Sequence, residues 1–149
     1  MRSQGEIEAA VCDGIARFHQ EFIGRGPRDI HSHLLGSLLV VRLQGALTAA
    51  ERQLLTPRPC GDESDGEDPQ RAATGNDSGN GRSLLKQVRS HMIASGRPRL
   101  ETIVESAVGV KLVSVHHDIS TVTGEEVIVF SLADTPACRP KKTSRDRLV

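Results

Sequence analysis

The chain has 149 residues, and its 19 Lys and Arg residues balance its 19 Asp and Glu residues, so its formal net charge is zero. A neutral chain of this length is typical of one small domain and has no overall charge that would attract nucleic acid or an anionic membrane. It has no Trp or Tyr and only three Phe residues, which excludes aromatic platforms for stacking bases.

The first predicted element is a helix over residues 4–23, where apolar residues recur at steps of three and four. Ser3 and Glu6 have the spacing of a capping box, in which each side chain binds the backbone amide of the other residue. Gly24 follows the last apolar residue and is typical of a helix end, because glycine tolerates the left-handed conformation. We therefore expect one amphipathic helix at the start of the chain.

The next predicted element is a β-hairpin of residues 28–35 and 38–43. The two residues between these strands, Gly36 and Ser37, favour a type II′ turn because glycine stands first. That turn pairs Leu35 with Leu38 and sets the rest of the register. One face of the hairpin then carries Ile30, Leu34, Leu39, Val41 and Leu43. The other face carries His31, His33, Leu35, Leu38, Val40 and Arg42, and we expect it to be open to solvent or to a partner.

A second capping box, Thr48 with Glu51, predicts a short helix that ends near residue 55. Residues 57–81 are mainly polar, acidic, Gly or Pro. They carry too little apolar surface to offset the entropy of ordering, so we expect a disordered insertion within one domain. Two more helices follow, the first capped near Asn80 and the second over residues 98–108.

Two strands, residues 111–120 and 126–132, predict a second hairpin. Residues 136–149 are basic and nearly devoid of apolar side chains, so we expect a disordered tail. The order is helix, hairpin, helix, two helices, hairpin. It predicts a single α+β domain over residues 1–135, in which the two hairpins form one antiparallel sheet and the helices pack on one face. Open sheet edges make homo-oligomerisation an expectation too.

Short motifs spread over residues 5–132 carry a resemblance to a known family. The positions concerned are Gly24, Gly26, Pro27, Arg42, Gly45, Leu47, Thr48, Glu51, Arg89, Glu105, Gly109 and Asp118. In this combination the chain resembles the MpsC-type family, a group of bacterial proteins named after a sodium-translocating, membrane-potential-generating system. The resemblance implies no catalytic residue and no cofactor, and most of these positions are expected to be structural.

The resemblance implies a bacterial, cytoplasmic protein, peripheral to the inner membrane at most, in a system for cation translocation, membrane potential or bicarbonate uptake. Because the sequence contains no stretch of the roughly 20 apolar residues that a spanning helix needs, it implies a non-catalytic accessory or regulatory protein that serves a transporter or channel-like subunit. Two alternatives stay open: a small ligand- or metal-binding enzyme that uses His31, His33 and Arg42, and a general interaction module that acts through the basic tail.

Histidines on strands are the weak metal candidates. His31 and His33 share one strand face, but a metal site needs at least a third ligand and supporting contacts. His116 and His117 are consecutive on a strand, so they point to opposite faces and only one could join such a site. Histidines in contact with solvent or at the edge of the core are the favoured interpretation.

Two further groups have a favoured structural interpretation. The segment from Gly24 to Pro27 contains two glycines, but it follows a helix C terminus, where the helix dipole disfavours a phosphate. Arg89 and Glu105 lie beside apolar helix stripes, and we expect at most an ion pair that ties their two helices together.

The cysteines and the N terminus indicate the compartment. Cys12, Cys60 and Cys138 form no Cys-x-x-Cys pair, and the N terminus lacks the pattern of a signal peptide. Free thiols in a reducing cytoplasm are the favoured interpretation, with no activating base near any of them.

Overall fold

The computed structural model describes residues 2–55 and 77–139, and the side chains of residues 77–80 are left aside. The predicted insertion and tail therefore lie outside the described residues, except for residues 77–81 and 136–139. In chain order the elements are α1 (Gln4–Phe18), a π-helical turn (His19–Ile23), β1 (Asp29–Leu35), β2 (Leu38–Gln44), α2 (Ala49–Leu55), α3 (Asp77–Ser95), α4 (Arg97–Val108), β3 (Leu112–Ile119) and β4 (Glu126–Leu132).

The four strands form one antiparallel sheet in the order β1-β2-β4-β3. Each hairpin of the sequence prediction is present, and the two hairpins join because β2 pairs with β4. The α+β class with two hairpins is thus confirmed. The predicted register of the first hairpin is also confirmed, from Leu35 opposite Leu38 to Ile30 opposite Leu43.

The turn of the first hairpin follows from its glycine. Gly36 has φ +61°, and no residue other than glycine has a positive φ in the described ranges. A positive φ at the first turn position alone fits the predicted type II′ turn, whereas a type I′ turn would need it at Ser37 as well. The turn therefore places Leu34 and Leu39 on the buried face.

All the described helices cover one face of the sheet. The main core contains Val11, Ile15 and Phe18 from α1 and Leu100 and Val104 from α4, together with the alternate residues of the strands. A smaller apolar cluster of Leu47, Leu85 and Ile119 lies where α2 and α3 meet the end of β3. The other face of the sheet has no described helix against it.

Both predicted capping boxes are present. The Ser3 Oγ accepts from the Glu6 amide at 3.2 Å, and the Glu6 carboxylate accepts from the Ser3 amide at 2.6 Å. The equivalent distances between Thr48 and Glu51 are 3.2 Å and 2.9 Å. Each box satisfies helix-end amides that would otherwise have no partner, so the starts of α1 and α2 follow directly from the sequence.

Three boundaries differ from the sequence expectation. The first helix changes to a π-helical turn after Phe18. Helix α3 begins at Asp77, so it includes Asn80 and the end of the expected insertion; the Gly and Ser residues there have low helix propensity and give no helical pattern. At the other end, Arg139 forms backbone hydrogen bonds with Gln4 (2.9 Å) and Arg2 (3.2 Å), so the described start of the tail runs beside the N terminus.

Candidate functional site

Arg89 lies at the centre of a buried polar network, and it is the largest fully buried side chain of the described residues. It lies four residues after Leu85 and four before Ile93, so α3 directs it toward the interior with its apolar neighbours. Its Nε donates to Glu51 Oε2 at 2.5 Å, and its Nη2 donates to Glu51 Oε1 at 2.8 Å. This paired geometry is the strongest arrangement between a guanidinium and a carboxylate.

The remaining donors of Arg89 reach two other elements. Nη1 donates to Glu126 Oε2 at 2.9 Å, and Nη2 also donates to the Ala46 carbonyl at 2.6 Å. One side chain of α3 thus connects β4, α2 and the segment between β2 and α2. Buried charge is tolerated only when it is paired in this way.

Glu126 occupies a core position of β4. In the sheet register it lies between Leu43 and Ile119, and its exposure is 0%. Its Oε1 lies 2.9 Å from His19 Nε2, and the Nδ1 of the same ring lies 3.0 Å from the Ile15 carbonyl. Both ring nitrogens of His19 thus lie within hydrogen-bond distance of oxygen atoms, so the ring connects the Ile15 carbonyl of α1 with the Glu126 carboxylate of β4.

The network keeps both carboxylates ionised. Burial by itself raises the pKa of Glu126, but the nearby His117 ring, the hydrogen bond with His19 and the electrostatic effect of His19 and Arg89 outweigh it and lower this pKa to about 2. Burial also raises the pKa of Glu51, and hydrogen bonds from Arg89 and Thr48 outweigh it, so the net direction is downward. Partnered carboxylates of this kind stabilise the fold at neutral pH.

His117 lies at the edge of this network. Its side chain is 6% exposed, and its Nε2 is 3.4 Å from Glu126 Oε1. At that distance the geometry is too poor for a well-formed hydrogen bond, and neither ring nitrogen has one. Its neighbour His116 lies on the opposite, exposed face, in line with the strand alternation.

The structure assigns most motif positions to internal contacts. The Glu105 carboxylate accepts from the Leu112 amide at 2.9 Å and does not pair with Arg89, so the expected ion pair between these helices is wrong. Asp118 is exposed and pairs with Lys86 at 3.0 Å. Glu51 does more than cap α2, since the same carboxylate also holds Arg89. Glu51 therefore belongs both to the cap of α2 and to the buried network.

The glycines of the motif terminate helices or bring backbone segments close together. Gly24 and Gly109 adopt the left-handed conformation just after the first helix and α4. Gly45 has φ +68°, and a Cβ placed on it would lie 2.6 Å from the Cβ of Arg28. Only glycine fits at residue 45 without a shift of the neighbouring chain.

An open cleft of about 640 Å³ is lined by Gly45, the residue next to the Ala46 carbonyl that Arg89 binds. Three arginines line it, Arg28, Arg42 and Arg52, together with Glu125. Arg42 donates from Nε to Glu125 Oε1 at 2.6 Å and from Nη2 to Oε2 at 3.2 Å. This pair raises the pKa of Arg42, first through the hydrogen bond and second through the charge of Glu125. The cleft is thus predominantly cationic.

The predicted histidine face is the uncovered face of the sheet. His33, Val40, Val129 and His116 form one row across the four strands. His31 is exposed and lies 3.1 Å from Asp29, while Arg42 pairs with Glu125. Within residues 2–55 and 77–139, no group of three His, Cys, Asp or Glu side chains is placed to hold a metal ion. His31 and His33 are therefore not brought together with a third ligand.

The cysteines are also placed apart from the network. Cys12 and Cys138 are half-buried free thiols, and Cys60 lies outside the described residues. The Cys12 Sγ is 4.0 Å from the Ile30 carbonyl, a contact of packing rather than of an activated thiol.

Sequence reasoning missed His19 and Glu126. A signal for both was present, because each is a polar residue in phase with an apolar stripe. Glu126 alternates with Ile128 and Phe130 on the core face of β4, and His19 lies one helical turn after Ile15. Polar groups at such positions require buried hydrogen-bond partners. Arg89 likewise lies in phase with the apolar residues of α3, and it is such a partner for Glu126.

The fold and the network define a small α+β protein built around one buried cluster of paired polar side chains. A family model described as "Na+-translocating membrane potential-generating system (MpsC)" matches residues 3–63 and 75–134, so the chain belongs to the MpsC family. The chain is also similar to the uncharacterised protein YbcI of Bacillus subtilis (strain 168). The two are 31% identical over 133 residues, which cover 89% of this chain and 90% of YbcI. No solved structure matches the chain.

No helix in the described part of the chain combines the length and the hydropathy needed to cross a membrane.

Proposed function

We propose that this protein is a non-catalytic accessory or regulatory component of a bacterial system that translocates cations and generates membrane potential. The proposal rests on membership of the MpsC family, which is named after such a system. It also rests on the way the motif residues are used. Thr48 and Glu51 form a cap, Glu51 and Arg89 belong to the buried network, and Glu105 binds the Leu112 amide, which is the use expected of residues that maintain a binding scaffold.

The buried network is the observation that carries the proposal. Arg89 joins α2, α3, β4 and the Ala46 carbonyl through four hydrogen bonds, and its carboxylate partners have no acidic proton to give at neutral pH. A catalytic carboxylate would instead need a pKa near the working pH and access to a substrate. The network is therefore suited to holding the domain in one shape for a partner to recognise.

The partner that we propose is a membrane subunit of the cation-translocating system, and the uncovered face of the sheet is where we expect it to bind. The middle of that face carries the valines Val40, Val127 and Val129, and its margins carry His31, His33 and His116. An apolar centre with a polar margin is the usual arrangement of a protein interface. A second copy of this chain is the other occupant to test.

Affinity purification from detergent-solubilised membranes tests this proposal. The tagged full-length chain should retain a cation-translocating membrane subunit, and Val129→Lys at the middle of the open face should lose it. Val113→Lys is the matched control, because Val113 is already 59% exposed on β3. Equal recovery with both variants, or recovery of no such subunit, would contradict the proposal. Sedimentation of the purified chain would show instead whether Val129→Lys separates a homodimer.

A further inference from the structure

We propose that the arginine-lined cleft beside Gly45 binds a phosphate-bearing anion. The cleft has a volume of about 640 Å³, larger than a single inorganic ion needs. Its lining contains three guanidinium groups against one carboxylate, Glu125. A phosphate monoester carries about 1.5 to 2 negative charges at neutral pH and a diphosphate carries more, which suits this excess better than a single carboxylate does.

Arg28 is the group that would contact the anion first. Its guanidinium lines the cleft and is exposed, and it makes no hydrogen bond or ion pair with any residue that the structure describes. Arg42 donates two hydrogen bonds to Glu125. Arg52 is also engaged in an interaction, so the proposal does not rely on it. A guanidinium presents five N–H donors, so Arg42 still has donors to share with a ligand. The assignment therefore depends on Arg28 and on the unused donors of Arg42.

Contacts with neighbouring parts of the fold hold the lining of the cleft in place. The Arg28 amide donates to the Gln44 carbonyl at 2.8 Å, and Gly45 lies under the Arg28 side chain. The neighbouring Ala46 carbonyl accepts from Arg89 of the buried network at 2.6 Å. On the opposite wall Gly124 has φ +75° and lies against Leu47. A cleft with fixed walls loses little entropy when it binds a ligand, and glycines allow an anion to approach the backbone.

The chemistry of the site predicts opposite effects of two neighbouring substitutions. Arg28→Gln removes a charged donor and should weaken binding at least 10-fold, as expected for a charge-assisted hydrogen bond. Glu125→Gln removes the competing carboxylate and releases Arg42, so it should strengthen binding several-fold. Arg99→Gln is the matched control. It removes an exposed arginine of the same charge, which pairs with Glu21 on the helical side of the molecule, and it should change binding less than twofold.

Titration calorimetry of the full-length chain with inorganic pyrophosphate at low salt measures these effects. A parallel arm uses vesicles of phosphatidylcholine with phosphatidic acid, which distinguishes a lipid headgroup from a free phosphate compound. Binding in either arm that follows the predicted order of the variants supports the proposal. Failure to bind in both arms, or equal weakening by Arg28→Gln and Arg99→Gln, would overturn it, because the second result is only general attraction to positive charge.

A nuclear magnetic resonance titration keeps the test valid if Arg28→Gln disturbs folding. Pyrophosphate added to the wild-type chain should change the amide chemical shifts of Gly45 and Gly124 more than those of Gly14 and Gly109, which lie away from the cleft. Shifts spread evenly over the molecule would contradict a site here. This inference goes beyond the proposed accessory role, and since neither assay contains membrane protein, its failure would leave that role untouched.

Discussion

Replacement of Glu126 by Gln tests the buried network most sharply, because the amide keeps the shape of the side chain and removes its charge. Glu126 is fully buried, and its carboxylate contacts Arg89 at 2.9 Å and His19 at 2.9 Å. Its pKa falls from 4.5 to about 2 in the folded protein. A shift of this size corresponds to about 3 kcal/mol of stability at neutral pH.

The sign of the pH dependence follows from the lowered pKa. The stabilisation from Glu126 is fully present above the unfolded-state value of 4.5 and is lost as the pH falls toward 2. Glu126→Gln should therefore reduce the free energy of unfolding by about 3 kcal/mol at pH 7. The difference between wild type and variant should shrink as the pH falls from about 5 toward 2, because Glu126 of the unfolded chain becomes protonated in this range while the folded chain keeps its carboxylate ionised.

Urea denaturation followed by far-ultraviolet circular dichroism measures this difference at each pH, since the chain has no Trp or Tyr for fluorescence. Glu125→Gln is the matched control one residue away. Its ion pair with Arg42 is partly exposed, so the cost should stay below about 1 kcal/mol. If both variants lost the same stability, or if the loss from Glu126→Gln did not depend on pH, the reasoning about the network would be refuted.

Three other substitutions and one control, Gly24→Ala, extend the test, each measured by urea denaturation at pH 7. Arg89→Met leaves two buried carboxylates without their cation and should cost about 3 to 5 kcal/mol; a loss below 1 kcal/mol would mean that the network contributes little. Gly45→Ala should lower the free energy of unfolding by about 2 kcal/mol or more, because φ is +68° at this residue and the new Cβ would meet Arg28. The control Gly24→Ala places its Cβ within 4 Å of no atom, so it should cost about 1 kcal/mol. Equal losses would show that close approach to Arg28 is unimportant. Thr48→Ala removes one cap and should cost about 1 kcal/mol, and a neutral result would argue against the box.

Local chemistry made much of the fold predictable. The Gly36-Ser37 turn and the alternation of Leu34, Leu39 and Val41 determine the hairpin and its register, because a shift by one residue would expose the apolar face. The boxes at Ser3 and Thr48 act within four residues, so their partners could be identified from spacing alone.

The candidate sites were less predictable because their partners are distant in the chain. Arg89 lies 38 residues from Glu51 and 37 from Glu126. Spacing within α3 shows that Arg89 faces the interior, but only the packing of three elements shows which carboxylates it meets. The Arg28 cleft is similar, since Glu125 reaches Arg42 from 83 residues away. Polar residues in phase with apolar stripes are the one signal that the sequence offers for such groups.

The central claim is that this MpsC-family chain serves a cation-translocating membrane system without catalysing a reaction itself. Its most direct test is the sodium-dependent membrane potential of a bacterium that lacks the corresponding gene, followed with a voltage-sensitive dye. We expect a lower potential in the deletion strain, restored by the wild-type chain and by Val113→Lys but not by Val129→Lys. An unchanged potential in the deletion strain would contradict the claim.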